Sequence, residues 1–403
     1  MGPDVQFALR PGIMELRWGD PAPSLLPVAG VRRAVERALE LAGPSALNYG
    51  AEQGPARLIE PLCTWLERRR GSAPPADQIF ITGGTSQALD LLCTLLARPG
   101  DVVLVESPTY HLALRIFRDH GLEVISVPGD EQGLQVDRLE AALETLRRPT
   151  RSRPAVAGSS LRRGEIGKGQ ALRFLYIVPT FGNPTGANLS PQRRQALVSV
   201  ASREGFLLLE DDVYRDLWYD SPPPPALSDL APLGTVVRLS TFSKILAPGL
   251  RLGWLEAVPE ITRRCAGSGL LDSGGGTSHF VAHVVGAMIE MGLLDEHIAL
   301  LRASYRQRRD ALLDALGRYM PATCSWMRPG GGFFVWLRMP EGCDSATLLP
   351  VAEAAGVSYA PGGRFCIGGG GERYARLGFS LLEPDELVEG ARRLGRVLER
   401  CGS

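Results

Sequence analysis

Residues 173–214 read RFLYIVPTFGNPTGANLSPQRRQALVSVASREGFLLLEDDVY, and the order of patterns in this stretch sets the architecture. The apolar run at 173–178, with its aromatic and β-branched side chains, has the length of a buried strand. Ser190-Pro191 then opens a helix over 191–203, with serine as N-cap and proline at the first helical position, where no N–H is needed. A second apolar run follows at 206–210. Two buried strands joined through a helix are parallel neighbours in one sheet, because an antiparallel pair would need only a hairpin.

The same alternation extends over residues 55–290. Strands are predicted at 102–106, 123–127, 235–240 and 251–255, and helices at 55–70, 85–97, 109–120, 137–147, 276–291 and 293–318. The fold class is therefore α/β, a mostly parallel sheet covered by helices. From about residue 320 the pattern becomes strand 333–338, helix 344–355, a short strand near 357–360, strand 375–380 and helix 384–399, which describes a smaller α+β unit. Residues 1–45 hold one helix, 27–42, behind proline-rich extended chain, and are assigned to that smaller unit. The expected organisation is a large domain at 46–292 and a small domain built from 1–45 and 293–403. A chain of 403 residues, 44% hydrophobic, exceeds one ordinary core and agrees with two units. Residues 149–170, rich in Arg, Gly and Ser, are expected to form a mobile surface loop. The run of prolines at 222–225 reads as a stiff connector.

Composition excludes several function classes. With 44 acidic against 44 basic residues the net charge is zero, so no positive field is present to hold nucleic acid or an anionic membrane. No apolar stretch approaches the roughly 20 residues that span a bilayer, and the first ten residues lack the order of an export signal, so a cytoplasmic location is expected. The seven cysteines are scattered and never form a CxxC pair, which reads as reduced thiols and no zinc site. His279 and His283, four apart on a helix, lack a third ligand, so no metal is assigned.

Only two of the 44 basic residues are lysines. Lys168 falls in the polar stretch 162–170, but Lys244 follows the apolar run 235–239 in Ser240-Thr241-Phe242-Ser243-Lys244. Arginine stays protonated, whereas a desolvated lysine can shed its proton and attack a carbonyl. Ligands of open α/β sheets bind beyond the carboxyl ends of the strands, and four such exits here are rich in polar residues. Thr82-Gly83-Gly84-Thr85-Ser86-Gln87 enters a helix and offers backbone N–H groups to a phosphate. Pro179-Thr180-Phe181-Gly182-Asn183-Pro184-Thr185-Gly186 follows one strand, Glu210-Asp211-Asp212-Val213-Tyr214 the next, and the lysine segment a third. Tyr110, after the strand 102–106, can lie flat on a ring. Together these supply an imine-forming amine, a counter-charge for a pyridinium (Asp211), two donors to a ring oxygen (Asn183 and Tyr214) and a phosphate cradle. That set of needs is the one pyridoxal phosphate imposes. Glu210 and Asp212, beside Asp211, read as solvated turn carboxylates.

These residues resemble the class I/II aminotransferases of pyridoxal phosphate fold type I, most closely the branch with 2-aminoadipate and kynurenine aminotransferases. The resemblance spans residues 10–399. Its motifs are Tyr49-x4-Gly54, Gly84-Thr85-Ser86-Gln87, Pro108-Thr109-Tyr110, Asn183-Pro184-Thr185-Gly186, Glu210-Asp211-Asp212-Val213-Tyr214, Ser243-Lys244-x6-Arg251, Gly330 to Trp336, and Arg376-Leu377 before Phe379. The resemblance implies that Lys244 is the imine lysine and general base, Asp211 the pyridine partner, Asn183 and Tyr214 the ring-oxygen donors, and Tyr110 the stacking ring. It implies phosphate contacts from Gly84, Thr85, Ser86, Thr241, Ser243 and Arg251, with Tyr49 reaching in from the second subunit of a homodimer. Arg376 is implied as the clamp for the substrate α-carboxylate, and the implied reaction moves an amino group from an L-amino acid to a 2-oxo acid, 2-oxoglutarate being the expected acceptor.

The chain departs from the family at several points. Trp18-Gly19 stands where the family has a glycine pair, placing an indole near the approaching substrate, and Gly182 stands where this branch often has glutamine. The N-terminal extension of some relatives is largely missing, and Ser273-Gly274-Gly275-Gly276-Thr277 makes a glycine-rich pocket edge. Two rival readings keep the cofactor: a lyase, decarboxylase, racemase or oxidase on the same fold, and a cofactor-sensing regulator, for which neither the start of the match near residue 10 nor the neutral charge leaves room.

Overall fold

The structure, a computed structural model, describes residues 6–147 and 171–401. The chain enters through a short strand, β1 (Met14–Glu15). The main sheet then takes β2 (Ile79–Thr82), β3 (Val102–Ser107), β4 (Glu123–Asp130), β5 (Gly133–Leu134), β6 (Leu172–Ile177), β7 (Leu207–Asp211), β8 (Val236–Thr241) and β9 (Gly253–Glu256). Their spatial order is β2-β9-β8-β7-β6-β3-β4-β5. The centre, from β8 through β7 and β6 to β3 and β4, is parallel, as the 173–214 stretch predicts. At one side β9 runs antiparallel to both β8 and β2, and at the other β5 closes a hairpin on β4. Near-continuous apolar sequence in the central strands follows from burial on both faces. One face, with Val103, Val105, Phe174, Tyr176 and Leu209, joins the large core under the helices of the site side. The other, with Leu104, Leu175, Ile177 and Leu208, forms a second core against the helix Pro191–Glu204.

The second, smaller sheet holds β10 (Phe334–Arg338), β12 (Ala360–Pro361) and β13 (Tyr374–Gly378), all antiparallel, with β13 central. β11 (Val357–Ser358) pairs in parallel with β1, so the N-terminal strand joins residues of the C-terminal third. The helix Val28–Ala42 packs on His279–Glu290, and the long helix Leu293–Tyr319 packs on Pro384–Glu399. β2, with only four residues, is too short for its periodicity to stand out in the sequence. The helix expected over 109–120 is His111–Asp119: Tyr110 is its extended N-cap residue, and the Thr109 N–H is taken by the Phe365 carbonyl. The loop expected at 149–170 lies outside the described residues.

Two readings of the cysteines need separating. Cys343 and Cys401 are bonded to each other, 58 residues apart in the chain, which corrects the expectation of seven free thiols. Spacing gave no hint of it, because the pairing depends on the helix Pro384–Glu399 returning its end to the turn after β10. Cys63, Cys93, Cys265, Cys324 and Cys366 are free. No group of three or more metal-ligating side chains occurs among the described residues, and none of their helices is long and apolar enough to cross a membrane.

Candidate active site

The carboxyl ends of β3, β6, β7 and β8 meet β10 and β13 of the smaller sheet. Two contacts fix the meeting: Arg376 of β13 donates from Nη1 to Asn183 Oδ1 at 2.9 Å, and Thr109 N–H donates to the Phe365 carbonyl at 2.9 Å. Lys244 follows β8 in a turn between Phe242, Ile245 and Leu246, all fully buried. Its Nζ donates to the Gly19 carbonyl at 3.1 Å and lies 5.7 Å from the centre of the Phe333 ring. Among the described residues no carboxylate forms an ion pair with it. Burial pulls its pKa below the ordinary lysine range; nearby Asp20 and Asp211 oppose that pull and Arg376 adds to it.

Asp211 ends β7. Its Oδ2 accepts from the Tyr176 hydroxyl at 2.6 Å, while Oδ1 is buried without a partner. Burial raises its pKa to about 7, against the lowering effect of the Tyr176 hydrogen bond and of Lys244. The flanking carboxylates behave differently, and neither is solvated as the sequence reading had it. Glu210 is fully buried and accepts from the N–H groups of Leu227 and Ser228 at 2.7 and 3.0 Å. Asp212 is buried too, and although desolvation opposes ionisation, Arg215 and Arg238 hold its pKa down to about 2. Strand alternation accounts for the division, since Glu210 and Asp212 share one face and Asp211 takes the other.

Arg376 is buried flat against Phe334 and Phe365, 4.1 and 4.9 Å from their ring centres, and its Nη2 donates to the Arg17 carbonyl at 2.7 Å. Its Nε is buried and unpartnered. Burial lowers its pKa to about 10. Tyr214 sits edge-on to Phe333, 5.4 Å between centres, and burial raises its phenol far above the ordinary value. Tyr110, just before the helix His111–Asp119, is likewise raised, to about 12.

The glycine-rich exit behaves as a helix entrance open to a ligand. Gly84, at φ +95°, precedes the helix Thr85–Leu96, and no side chain caps it. Arg251 reaches across, donating from Nη2 to the Gly83 carbonyl at 2.9 Å and from Nη1 to Ser243 Oγ at 3.4 Å. A Cβ on Gly84 would lie 3.1 Å from Arg251 Nη2, so only glycine keeps the turn and the guanidinium this close. Ser243 N–H in turn donates to Thr241 Oγ1 at 3.0 Å. Gly84, Thr241, Ser243 and Arg251 thus form one cradle, with Thr85 half-buried and Ser86 exposed in the first helical turn.

Two of the residues singled out from sequence lie apart from this cluster. Tyr49 is 86% exposed and rests on Gly274 of the glycine-rich segment, where a Cβ would come within 2.9 Å of its ring. The Trp18 indole donates to the Ala8 carbonyl at 3.2 Å and lies under Arg17, while its neighbour Gly19 supplies the carbonyl that holds Lys244. The sequence reading missed Tyr176, Asp20 and His111. Tyr176 carried one usable signal: a polar tip inside an apolar strand, on the strand next to Asp211. His111 packs edge-on to Tyr110 and Phe365, and burial lowers its pKa to about 4, so it stays neutral. Glu106 faces away from the site into a separate cavity of about 590 Å³ between β3, β4 and the smaller sheet.

The described geometry has close counterparts. The model of the family "Aminotransferase class I and II" matches residues 13–394. The aromatic-amino-acid aminotransferase 1 of Thermococcus litoralis is 34% identical over 388 residues, 96% of this chain and 88% of the relative. Among solved structures, the Pyrococcus horikoshii kynurenine aminotransferase has a TM-score of 0.87 at 35% identity, over 96% of this chain and 91% of that one. The α-aminoadipate aminotransferase of Thermus thermophilus, complexed with N-(5'-phosphopyridoxyl)-L-leucine, has a TM-score of 0.83 at 32% identity, over 97% and 93%. On a match running almost end to end, this chain belongs to the class I and II aminotransferases.

Proposed function

We propose that this aminotransferase uses pyridoxal phosphate bound at Lys244 to carry an amino group from an L-amino acid to a 2-oxo acid, with 2-oxoglutarate as acceptor. The observation that carries the cofactor assignment is the orphaned Asp211 Oδ1, a buried carboxylate oxygen without a donor, in the same site as a part-buried amine with no ion-pair partner among the described residues. A group with a protonated ring nitrogen and an aldehyde answers both needs. When bound, it supplies an electron-withdrawing ring and a carbonyl that condenses with amines.

The chain's residues then take the following parts. Asp211 Oδ1 would accept the ring N–H, Tyr110 would cover the ring, and Asn183 and Tyr214 would donate to its oxygen. Gly84, Thr85, Ser86, Thr241, Ser243 and Arg251 would hold the phosphate by backbone N–H groups, hydroxyls and a guanidinium. Arg376, held flat by two rings, presents its unpartnered Nε edge to the substrate carboxylate. Lys244 Nζ, its pKa lowered by burial, would take the proton from the substrate α-carbon and deliver it to the carbon on the far side of the intervening nitrogen. Gly19, whose carbonyl holds Lys244, would border the substrate, with the Trp18 indole turned away toward Ala8. Tyr49, exposed and braced on Gly274, suits a residue that completes a partner's site, so the functional unit in this reading is a homodimer.

Borohydride reduction of the purified protein, followed by peptide mass mapping, tests the assignment. A phosphopyridoxyl mass on Lys244, absent from Lys244→Ala, is the expected result. Label on another residue, or full turnover in Lys244→Ala, would overturn it.

A further inference from the structure

We propose that Tyr176 is a positioning residue for the cofactor, its hydroxyl occupying one oxygen of Asp211 so that the other is aimed at, and kept charged for, the ring nitrogen. The inference rests on the pyridoxal phosphate reading above.

The geometry is specific. Tyr176 lies on β6 opposite Leu209 of β7, and Asp211 is two residues further along β7 on the same face. Side chains two apart on a strand stand about 7 Å apart along it, a span that a phenol ring bridges lengthwise. The hydroxyl meets Oδ2 at 2.6 Å, and Tyr176 has no exposed surface. Its ring is wedged edge-on against Phe117, 5.5 Å between centres, which in turn packs on Phe174. The donor is thus built into the sheet, and Asp211 keeps only Oδ1 for a ligand.

The chemistry gives this contact its consequence. A carboxylate buried in an apolar face tends to take up a proton, and each hydrogen bond donated to it favours the charged form. Tyr176 is the one side chain found donating to Asp211 among the described residues, and its effect on the acid is in that direction. Without the phenol, Asp211 would be neutral more of the time and free to rotate, and could not hold a ring proton in place. A ring that loses this proton withdraws electrons less strongly, so the nitrogen joined to Lys244 becomes more basic.

The test uses the cofactor-loaded enzyme and compares Tyr176→Phe with Asp211→Ala. We expect Tyr176→Phe to bind pyridoxal phosphate roughly ten- to a hundredfold more weakly, the loss of one charge-assisted hydrogen bond, and to move the pH midpoint of its visible absorbance upward by about one unit. Asp211→Ala should show both effects more strongly. An unchanged midpoint and affinity in Tyr176→Phe, with both altered in Asp211→Ala, would overturn the role of Tyr176 and leave the cofactor reading intact. Unchanged values in both variants would overturn the cofactor reading itself. Should Tyr176→Phe fail to fold, 3,5-difluorotyrosine placed at 176 keeps the shape and strengthens the donor. It should move the midpoint downward, and an upward or absent shift would count against the proposal.

Discussion

Gly19 is the position where the smallest change should have the largest consequence, and its backbone is not the reason, since it has no left-handed conformation. A Cβ built on Gly19 would lie 2.3 Å from Phe334 Cζ and 2.6 Å from Cε1. Carbon atoms rest at roughly 3.5–4.0 Å, so Gly19→Ala must drive the ring or the 17–20 segment apart by about 1.2 Å. Neither can yield freely. The Phe334 ring is 1% exposed and carries the Arg376 guanidinium on its face at 4.1 Å, while the Gly19 carbonyl holds Lys244 Nζ at 3.1 Å. Overpacking of this kind costs about 1–3 kcal/mol. Part should appear as lost stability in urea unfolding, and part as misplacement of the two groups that handle substrate. A 1.4 kcal/mol share in the latter is about tenfold in kcat/KM, read from the single-turnover half-reaction with an amino acid in excess. Phe334→Leu removes the clashing edge, so the double variant should recover most of the stability lost by Gly19→Ala alone, a coupling of about 1 kcal/mol or more. Gly19→Ala with wild-type stability and wild-type kcat/KM would refute the reasoning, because it would mean that the 17–20 segment moves without strain and sets neither group.

Two other perturbations give distinct outcomes. Burial, helped by the charge of Asp211, raises the pKa of Glu106 to about 8, from an ordinary 4.5, while the Val178 N–H opposes the shift. Between those pH values the unfolded chain has released this proton and the folded chain retains it, so this group's contribution to stability falls as pH rises, by at most about 1.4 kcal/mol per unit. Glu106→Gln keeps an acceptor for Val178 and should flatten that decline; unfolding free energies at pH 5 and pH 8 that change equally in the two proteins would show that Glu106 ionises normally. For the dimer, Lys244→Ala and Tyr49→Ala should each be severely impaired, yet mixing them through unfolding and refolding should restore about a quarter of wild-type activity. Random association makes half the dimers mixed, and each mixed dimer has one site with both residues intact. A mixture no more active than its parents would place Tyr49 outside any shared site.

The sheet was legible because parallel strands buried on both faces must be apolar throughout, and helices between them must show a 3.6-residue period; the 173–214 stretch holds both patterns with a serine-proline start between. The exits were legible because polar residues at strand ends have few structural reasons to be there. What escaped had no local pattern. Tyr176 sits inside an apolar strand and resembles a core aromatic until β7 places Asp211 against its hydroxyl. Glu210 and Asp212 alternate with Asp211 and face the opposite core, and their burial depends on Arg215 and Arg238 and on the N–H groups of 227 and 228, partners that lie 3 to 26 residues away in the chain. Cys343 and Cys401 meet only because a helix ends where it does.

The contrast within the acidic triplet also shows why position in the chain says little about chemistry. Asp212 is surrounded by two guanidiniums and stays charged; Glu210 has two backbone donors; Asp211 has one phenol and an empty lone pair. A buried oxygen left unpaired costs about 1–3 kcal/mol. Arg376 Nε is a second such omission in the same site, and the uncapped helix start at Gly84 a third. In the proposed reading a coenzyme would meet two of these needs, with a ring N–H and a phosphate, and the substrate carboxylate would meet the third. Asp212 Oδ1 and Arg238 Nη1 are unpartnered too, but they lie on the other face of the sheet; the three unmet needs gathered in one site are those that a bound coenzyme and its amino-acid substrate would answer.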